Sequence, residues 1–523
     1  MGVNKKFLLL ALLVLTNVSY SKTVTSGTGI WAAGKEGVVQ KNDELEVKNG
    51  AIGINVKFEK GKEGTGINNG VIKVSDKNSK GIFINNSSTS GEKNSAKNEN
   101  RIEVSKNGIG VYFNGGSDGN FYNNKDMIIT DKDSKGIFLN SKGNAENNGN
   151  IYVEAGAIGV QNNNDNAVFS NNSNGIINVS GENSKGIQLN KGIAKNDGII
   201  KAIGRNATGV YINAGSGTKK NEFINNNKLI ASGKGAKGIQ FGSGSGKVVN
   251  NKDIKAENEA IGIFFYQGKN NILINNGVID AGDGFAIDSG KGTNNTVVLK
   301  KDSKVIGNIR GNDGVDVLAV EGGSEYKDLA ITGYDKIVSL KAENSTDDAV
   351  ILNSNISLEF NKETDKYINN NKELNGDKTG LTIKNSNLVV DLQNRTENSS
   401  LIDTGKDKLT LAGNIKIAFN GSKGEKEFNI SEILGDEIEA GNAKFESSAM
   451  WEYEKNADGD LIARKKSYTE TVGKSELSDF GKVLEQNSDK GGDFGKGLTL
   501  LGLLDASQFT DAMTQLSGGV HGY

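Results

Sequence analysis

From residue 51 to residue 287 the chain repeats one pattern: a small residue, a variable one, Gly, then a β-branched or aromatic run. Its fuller copies are Ser79-Lys-Gly81-Ile-Phe-Ile, Asn107-Gly-Ile-Gly110-Val-Tyr-Phe, Ser134-Lys-Gly136-Ile-Phe-Leu and Ser184-Lys-Gly186-Ile-Gln-Leu. Gly53, Gly159, Gly209, Gly238 and Gly262 head the others, and a degenerate copy, Phe285-Ala-Ile287, closes the series. Successive glycines lie 28, 29, 26, 23, 27, 23, 29 and 24 residues apart. Between them a second short run, led by Asn, alternates apolar with polar, as in Asn69-Gly-Val-Ile-Lys-Val74 and Asn174-Gly-Ile-Ile-Asn-Val179. Alternation with period two marks strands, and Asn, Gly and Ser between them mark turns. Each period of about 26 residues therefore holds at least two strands.

A repeat of this length is too short for a propeller blade and lacks the fixed Leu spacing of a leucine-rich repeat. It fits an all-β fold, a right-handed parallel β-helix of the pectin-lyase-like solenoid kind, with one coil per repeat. Inward Ile, Val and Phe should stack in ladders, and the variation in length should sit in loops at 86–99, 115–122 and 214–223. Asn at the corners tolerates left-handed backbone and can hydrogen-bond its copy on the next coil. The regular helix is expected over 22–300, with an irregular continuation over 301–420 whose strands lie near Val315–Val320, Lys336–Leu340, Val350–Phe360, Gly380–Leu392 and Lys408–Phe419. Residues 421–466 read as a C-terminal cap, with a hairpin around Asn456-Ala-Asp-Gly459 and Trp451 as a plug over the last coil. From Ser467 to residue 523 the pattern turns helical. Ser467 and Glu470 have capping-box spacing, Leu477, Phe480 and Leu484 share a face, and a last helix spans about Leu498–Leu516 with Phe509, Met513 and Leu516 on one side.

The first 21 residues have a different character. Lys5 and Lys6 precede an apolar run from Phe7 to Leu15, and Ser19-Tyr-Ser21 places small residues for cleavage. This is the layout of a signal peptide and predicts export; the run is too short to span a bilayer.

Composition removes most chemistry. The 523 residues contain no Cys, no Pro and one His, His521, so zinc fingers, thiol nucleophiles and iron–sulfur clusters are excluded and a catalytic triad would need the chain's end. With 62 basic against 64 acidic residues, and only five of the basic ones Arg, nucleic acid is not an expected partner. No cofactor or metal is expected. Asp280, Asp283 and Asp288 are the strongest candidates for catalytic carboxylates, and Asp313 and Asp316 faintly suggest a Ca²⁺ repeat that works only in tandem. Solvated turn residues are the expected reading of both. The Gly-Lys-Ser at Gly473–Ser475 is no phosphate loop, because Tyr468 stands where that loop needs Gly.

The tail resembles a known family. The run Asp505-Ala-Ser-Gln-Phe509-Thr-Asp-Ala512-Met-Thr-Gln515-Leu516-Ser517-Gly518 is similar to the α-helical linker of type V secretion proteins, the autotransporters. The Cys-free Asn/Gly-rich coils resemble their β-helical passengers. The resemblance implies a passenger exported through the Sec machinery and inserted with the barrel-assembly machinery. It would be displayed at the outer membrane as a non-enzymatic adhesin or aggregation factor, with a host or neighbouring-cell receptor, protein or glycan, as partner. The family continues with a translocator barrel that this sequence does not contain, so surface display is expected if a barrel follows and a periplasmic location if the chain ends at 523. Binding is expected at the three insert loops or at exposed aromatics such as Tyr112, Tyr211 and Phe265, which the pattern fits equally well as inward ladder residues. The competing expectation is a secreted β-helix polysaccharide lyase or hydrolase.

Overall fold

The computed structural model describes residues 20–86, 93–115, 118–213, 221–312, 315–342, 350–359, 374, 376–392, 400–420, 426–435, 437–473, 476–488 and 492–517. The expected signal peptide before residue 20, His521, Asp313 and Gly518 lie outside these residues. The chain divides into two compact units, one of residues 1–268 with 279–284, the other of 269–278 with 285–523. Both are parallel β-solenoid.

In the first unit each coil has three strands, one more than the minimum read from the sequence. The first face runs from Ser21–Val24 to Asp253–Glu257, the second from Thr28–Ala33 to Ile261–Phe265, and the third from Glu36–Val39 to Gly246–Asn250. Every strand pairs in parallel with its counterpart one coil away, as Arg101–Val104 does with Asp126–Ile129. The third-face strand Asn94–Asn98 falls inside the expected insert loop 86–99, and Gly119–Asn123 and Asn221–Asn225 overlap the C-terminal ends of the loops 115–122 and 214–223. These strands are solenoid wall. They escaped notice because a strand such as Asn-Ser-Ala-Lys-Asn presents only Ala96 inward as an apolar side chain.

Corners follow from backbone demands. Between the first and second faces the chain enters left-handed conformation at residues such as Asn49, Asn78, Asn107, Asn183 and Asn206. Asn accepts that conformation more readily than other side chains. The repeat glycines answer a different demand. Gly53, Gly81, Gly110, Gly136, Gly159, Gly186, Gly209, Gly238 and Gly262 are each the second residue of a second-face strand. There two successive residues turn inward, and a Cβ on Gly136 would lie 2.4 Å from the carbonyl oxygen of Gly159, its copy on the next coil. The other glycines as far as Gly238 meet the same obstacle at 2.5–2.7 Å. The column is thus a line where backbones approach too closely for any side chain.

Apolar ladders fill the interior. Ile72, Ile102, Met127, Ile151, Ile177 and Ile200 stack down the first face, all buried. On the third face Ala96, Phe121, Ala145, Phe169, Ala194 and Phe223 alternate small with large, so each ring fills space its neighbours leave. At the end of the third face an asparagine column runs through Asn68, Asn98, Asn123, Asn147, Asn171, Asn196, Asn225 and Asn250. Each donates its Nδ2 to the next Oδ1 at 2.7–2.8 Å. All are fully buried, so the ladder satisfies groups that would otherwise cost about 1–3 kcal/mol each.

The second unit uses two stacks. One holds Ile272–Asn275, Thr296–Leu299, Val317–Glu321, Lys336–Leu340 and Ile402–Asp403. The other holds longer strands, among them Glu325–Tyr334, Val350–Glu359, Leu381–Asp391 and Leu409–Asn420, interrupted by register shifts. Such bulges bend one strand across two walls, replacing the glycine corner that marks the repeat. Beyond them Lys426–Asn429, Leu461–Lys465 and Trp451–Lys455 form an antiparallel sheet. Trp451 is buried against Phe419 and Phe428, at ring separations of 5.6 and 5.7 Å.

The helical tail differs from expectation in one respect. The single helix expected near 498–516 is two, Gly492–Leu501 and Ala506–Leu516, because Asp505 caps the second in a reciprocal capping box with Gln508. Phe509 and Met513 are buried, whereas Leu516 is 57% exposed rather than on their face. Ser467 caps the Tyr468–Val472 helix through the amide of Glu470.

Three substitutions test this account. Gly136→Ala should destabilise by about 3 kcal/mol or more, since neither colliding backbone can move alone, whereas Gly441→Ala, with open space around it, should change stability by about 1 kcal/mol at most. Urea unfolding followed by circular dichroism measures both. Asn147→Ala removes the donor to the Oδ1 of Asn171 and leaves the Nδ2 of Asn123 with the Lys125 carbonyl alone, while the carbonyl of Gly149 keeps the amide of Ile176. It should cost about 3 kcal/mol and raise amide hydrogen exchange in Gly143–Asn147 and its neighbours on both sides; a neutral effect would contradict the ladder's role.

A candidate binding face on the first unit

The second face differs in charge from the rest of the first unit. Its strands contain Lys57, Lys80, Lys135, Lys185 and Lys237 and not one Asp, Glu or Arg. On the first face basic and acidic residues pair instead, as in Lys73–Glu44 at 2.6 Å and Arg101–Glu103 at 2.8 Å.

Register arranges the outward side chains of this face in columns. One reads Trp31, Asn55, Phe83, Tyr112, Phe138, Gln161, Gln188, Tyr211, Gln240 and Phe264, each directly beside the next. At ~4.8 Å per coil, the stretch from Phe83 to Phe264 covers about 34 Å. Phe83 and Tyr112 stack with centroids 5.6 Å apart, and Tyr112 and Phe138 at 5.2 Å. The second column, before the corner glycines, alternates aliphatic or Thr with Lys: Ile52, Lys80, Ile109, Lys135, Ile158, Lys185, Thr208, Lys237, Ile261. Ammonium groups therefore recur every second coil, roughly 9.6 Å apart.

Each lysine lies over a ring. Lys185 Nζ is 4.5 Å from the Tyr211 centroid, Lys80 5.6 Å from Tyr112, Lys135 5.8 Å from Phe138 and Lys237 5.9 Å from Phe264. Among the described residues none of the four forms an ion pair; Lys80 and Lys135 donate to backbone carbonyls and Lys185 to Gln188. Burial pulls the pKa of all four below the usual lysine range, with Asp133, at a corner turn, partly opposing this for Lys135 and Lys185. Ring contact recovers part of the hydration these cations give up.

The expected binding aromatics divide. Tyr112 and Tyr211 belong to the outward column, but Phe265 is fully buried and stacks on Phe241 at 4.6 Å. The corner glycine shifts the alternation by one, so in Ile-Gly-Ile-Phe-Phe265 it is Phe264 that faces out. The lysine column was missed because Lys appears throughout the sequence; the signal was the alternation of Ser-Lys-Gly with Ala-Ile-Gly copies.

The other candidates have structural contacts of their own. Asp280 braces its own turn through the amide of Gly282, and Asp283 is exposed. Asp288 is buried and paired in bidentate fashion with Arg310 at 2.9 and 2.7 Å. Asp316 accepts the amides of Asn295 at 2.7 Å and Asn312 at 3.0 Å, while its own amide donates to Asp335. It is a rung between coils of the second unit. Gly473 ends the Tyr468–Val472 helix. Of the linker-like residues, Asp505 caps a helix, Phe509 packs beside Tyr468, Ala512 is half-buried, Gln515 and Leu516 are exposed, and Ser517 closes the helix. Among the described residues no group of three acidic or His side chains is placed to hold a metal, and no helix is long and apolar enough to cross a membrane.

Burial lifts the pKa of Asp316 from 3.8 to about 7. A raised carboxyl pKa gives stability that is fully present below about 3.8 and lost as pH rises through about 7. Asp316→Asn removes this titration but turns an NH₂ toward an amide donor. The stability advantage of the natural chain over this variant should therefore shrink, by on the order of 3 kcal/mol, between pH 4 and pH 7.5 in urea titrations; a difference that grows with pH would refute the assignment. Compared with known protein families and with curated proteins, the chain matches none.

Proposed function

We propose that this chain is the passenger of a type V secretion system, displayed at the bacterial surface as a β-solenoid and acting as a non-enzymatic adhesin. The observation that carries the reading is a parallel solenoid free of Cys and Pro, followed by a capped helix that begins at Asp505 of the linker-like run. Coils bonded only to their neighbours can form one after another as a chain emerges from a pore. Neither disulfides nor slow prolyl isomerisation would delay them. The leader-like Met1–Ser21 fits Sec export, and the barrel-assembly machinery is the partner such a linker would need. A surface receptor, protein or glycan, is the partner of the passenger.

The test is accessibility on intact cells. In the source bacterium, antibodies against residues 22–466 should label unpermeabilised cells, and added protease should remove the label. Deleting the gene should reduce attachment to host cells or between bacteria. Label that appears only after permeabilisation would sink the display reading. The lyase or hydrolase alternative predicts unsaturated or reducing ends from uronic-acid polymers, and none are expected.

A further inference from the structure

We propose that the second face of the first unit binds an extended acidic polysaccharide carrying one anionic group on every second sugar, laid along the Lys80–Lys135–Lys185–Lys237 column. The inference rests on the reading of the chain as a surface binding protein and names the class of its ligand.

Three observations carry it. The face holds cations without ion-pair partners among the described residues: its strands contain lysine as their only charged residue, although the whole chain is nearly neutral at a net charge of −2. Lys135 and Lys185 share only the nearby Asp133, and half-buried cations so thinly compensated gain from an arriving anion. The second observation is the adjoining column of rings and amides. Phe83, Tyr112 and Phe138 lie ring against ring along the column, so with Tyr211 they present apolar edges against which the C–H side of a pyranose can pack, while Gln188 and Gln240 offer both a donor and an acceptor to hydroxyls. Aromatics beside amides suit a sugar better than a bare salt, which needs neither.

The third observation is spacing. Ammonium groups stand about 9.6 Å apart, while one strand of a nucleic acid duplex presents a phosphate every ~3.4 Å. A nucleic acid would leave most of its charge unmatched here. In an extended β-linked polysaccharide one sugar advances by roughly the height of one coil, so charge on alternate sugars falls into register with lysine on alternate coils. A hollow lined by Trp31, Lys35, Lys57, Lys60 and Lys62, with Glu59, continues the face at its N-terminal end. Lys57 lies 5.2 Å over the half-exposed ring of Trp31, the same arrangement as along the column.

The probes are hyaluronan oligosaccharides, with a carboxylate on alternate sugars, neutral cello-oligosaccharides of equal length, polygalacturonate, with one on every sugar, and oligo-dT. Binding of each to the purified full chain is measured by isothermal titration calorimetry at physiological salt. Hyaluronan should bind at least tenfold tighter than the neutral oligomer and tighter per charge than polygalacturonate. The quadruple variant K80Q/K135Q/K185Q/K237Q should lose about tenfold or more, as four partly exposed charges of a few-fold each imply. The matched variant K97Q/K195Q/K201Q/K228Q, on the other two faces, should bind as the natural chain does. Circular dichroism and melting temperature verify that both variants fold. Retained binding in the first variant, equal loss in the second, tighter binding of oligo-dT, preference for polygalacturonate, or no binding at all would each overturn the proposal. Binding by a purified chain does not depend on display, so the proposal and the surface reading fail in separable ways.

Discussion

Each coil of the first unit hydrogen-bonds to the coil before it and the coil after it, strand on strand, so a residue at any given position must tolerate its own counterpart about 4.8 Å away. That constraint sorts the amino acids. Aliphatic side chains stack on themselves without conflict, and Asn does so while making a hydrogen bond. On the third face Phe sits between Ala neighbours, or in the case of Phe223 between Ala194 and Val248. Like charges directly opposite one another are destabilising, and on the second face Lys alternates with Ile or Thr so that no two ammonium groups meet. The glycine column is the extreme case, where the counterpart's carbonyl leaves no room for even a methyl group.

The same constraint decides what the sequence revealed. A column of invariant residue type is visible as a repeat, which is why the glycines and the inward Ile and Val positions were found from spacing alone. The third strand of each coil was hidden because its inward residues are Ala, Phe and Asn by turns, and alternation of sizes erases periodicity. Asparagines bonded to their copies on the next coil were expected at the left-handed corners; the ladder forms instead at the end of the third face, in the Asn-Asn and Asn-x pairs ahead of each first-face strand. In the second unit the repeat fades for a physical reason: strands such as Leu381–Asp391 turn by a register shift, which has no fixed residue, instead of a glycine corner. The side on which Phe265 lies stayed open because Gly262 and Ile263 both turn inward, which inverts the parity of the alternation. Asp505 was read as part of a continuous helix, although an acidic residue ahead of Gln508 is also a helix start.

Sites were less legible than fold. The lysine column becomes a feature only when register places residues 50 or more apart in sequence on one line, and no single coil contains it. The acidic residues show the reverse. Asp288 and Asp316 drew attention as a possible reactive group, yet the structure commits one to Arg310 and the other to backbone amides of neighbouring coils. Carboxylates so engaged are fastenings, whereas the second-face lysines form no ion pair among the described residues.

The buried asparagine ladder has one more property. Every rung from Asn68 to Asn250 points the same way, with Nδ2 toward the later coil, and the Oδ1 of Asn68 stands at the head with Val39, not another amide, on the preceding coil. Aligned amide dipoles reinforce one another, each bond polarising the next. The row therefore acts as a wire of parallel dipoles, with a negative pole at its first rung, inside a medium of low dielectric constant. Such a row distinguishes the two directions along the coil stack electrically, much as aligned peptide groups do for an α-helix.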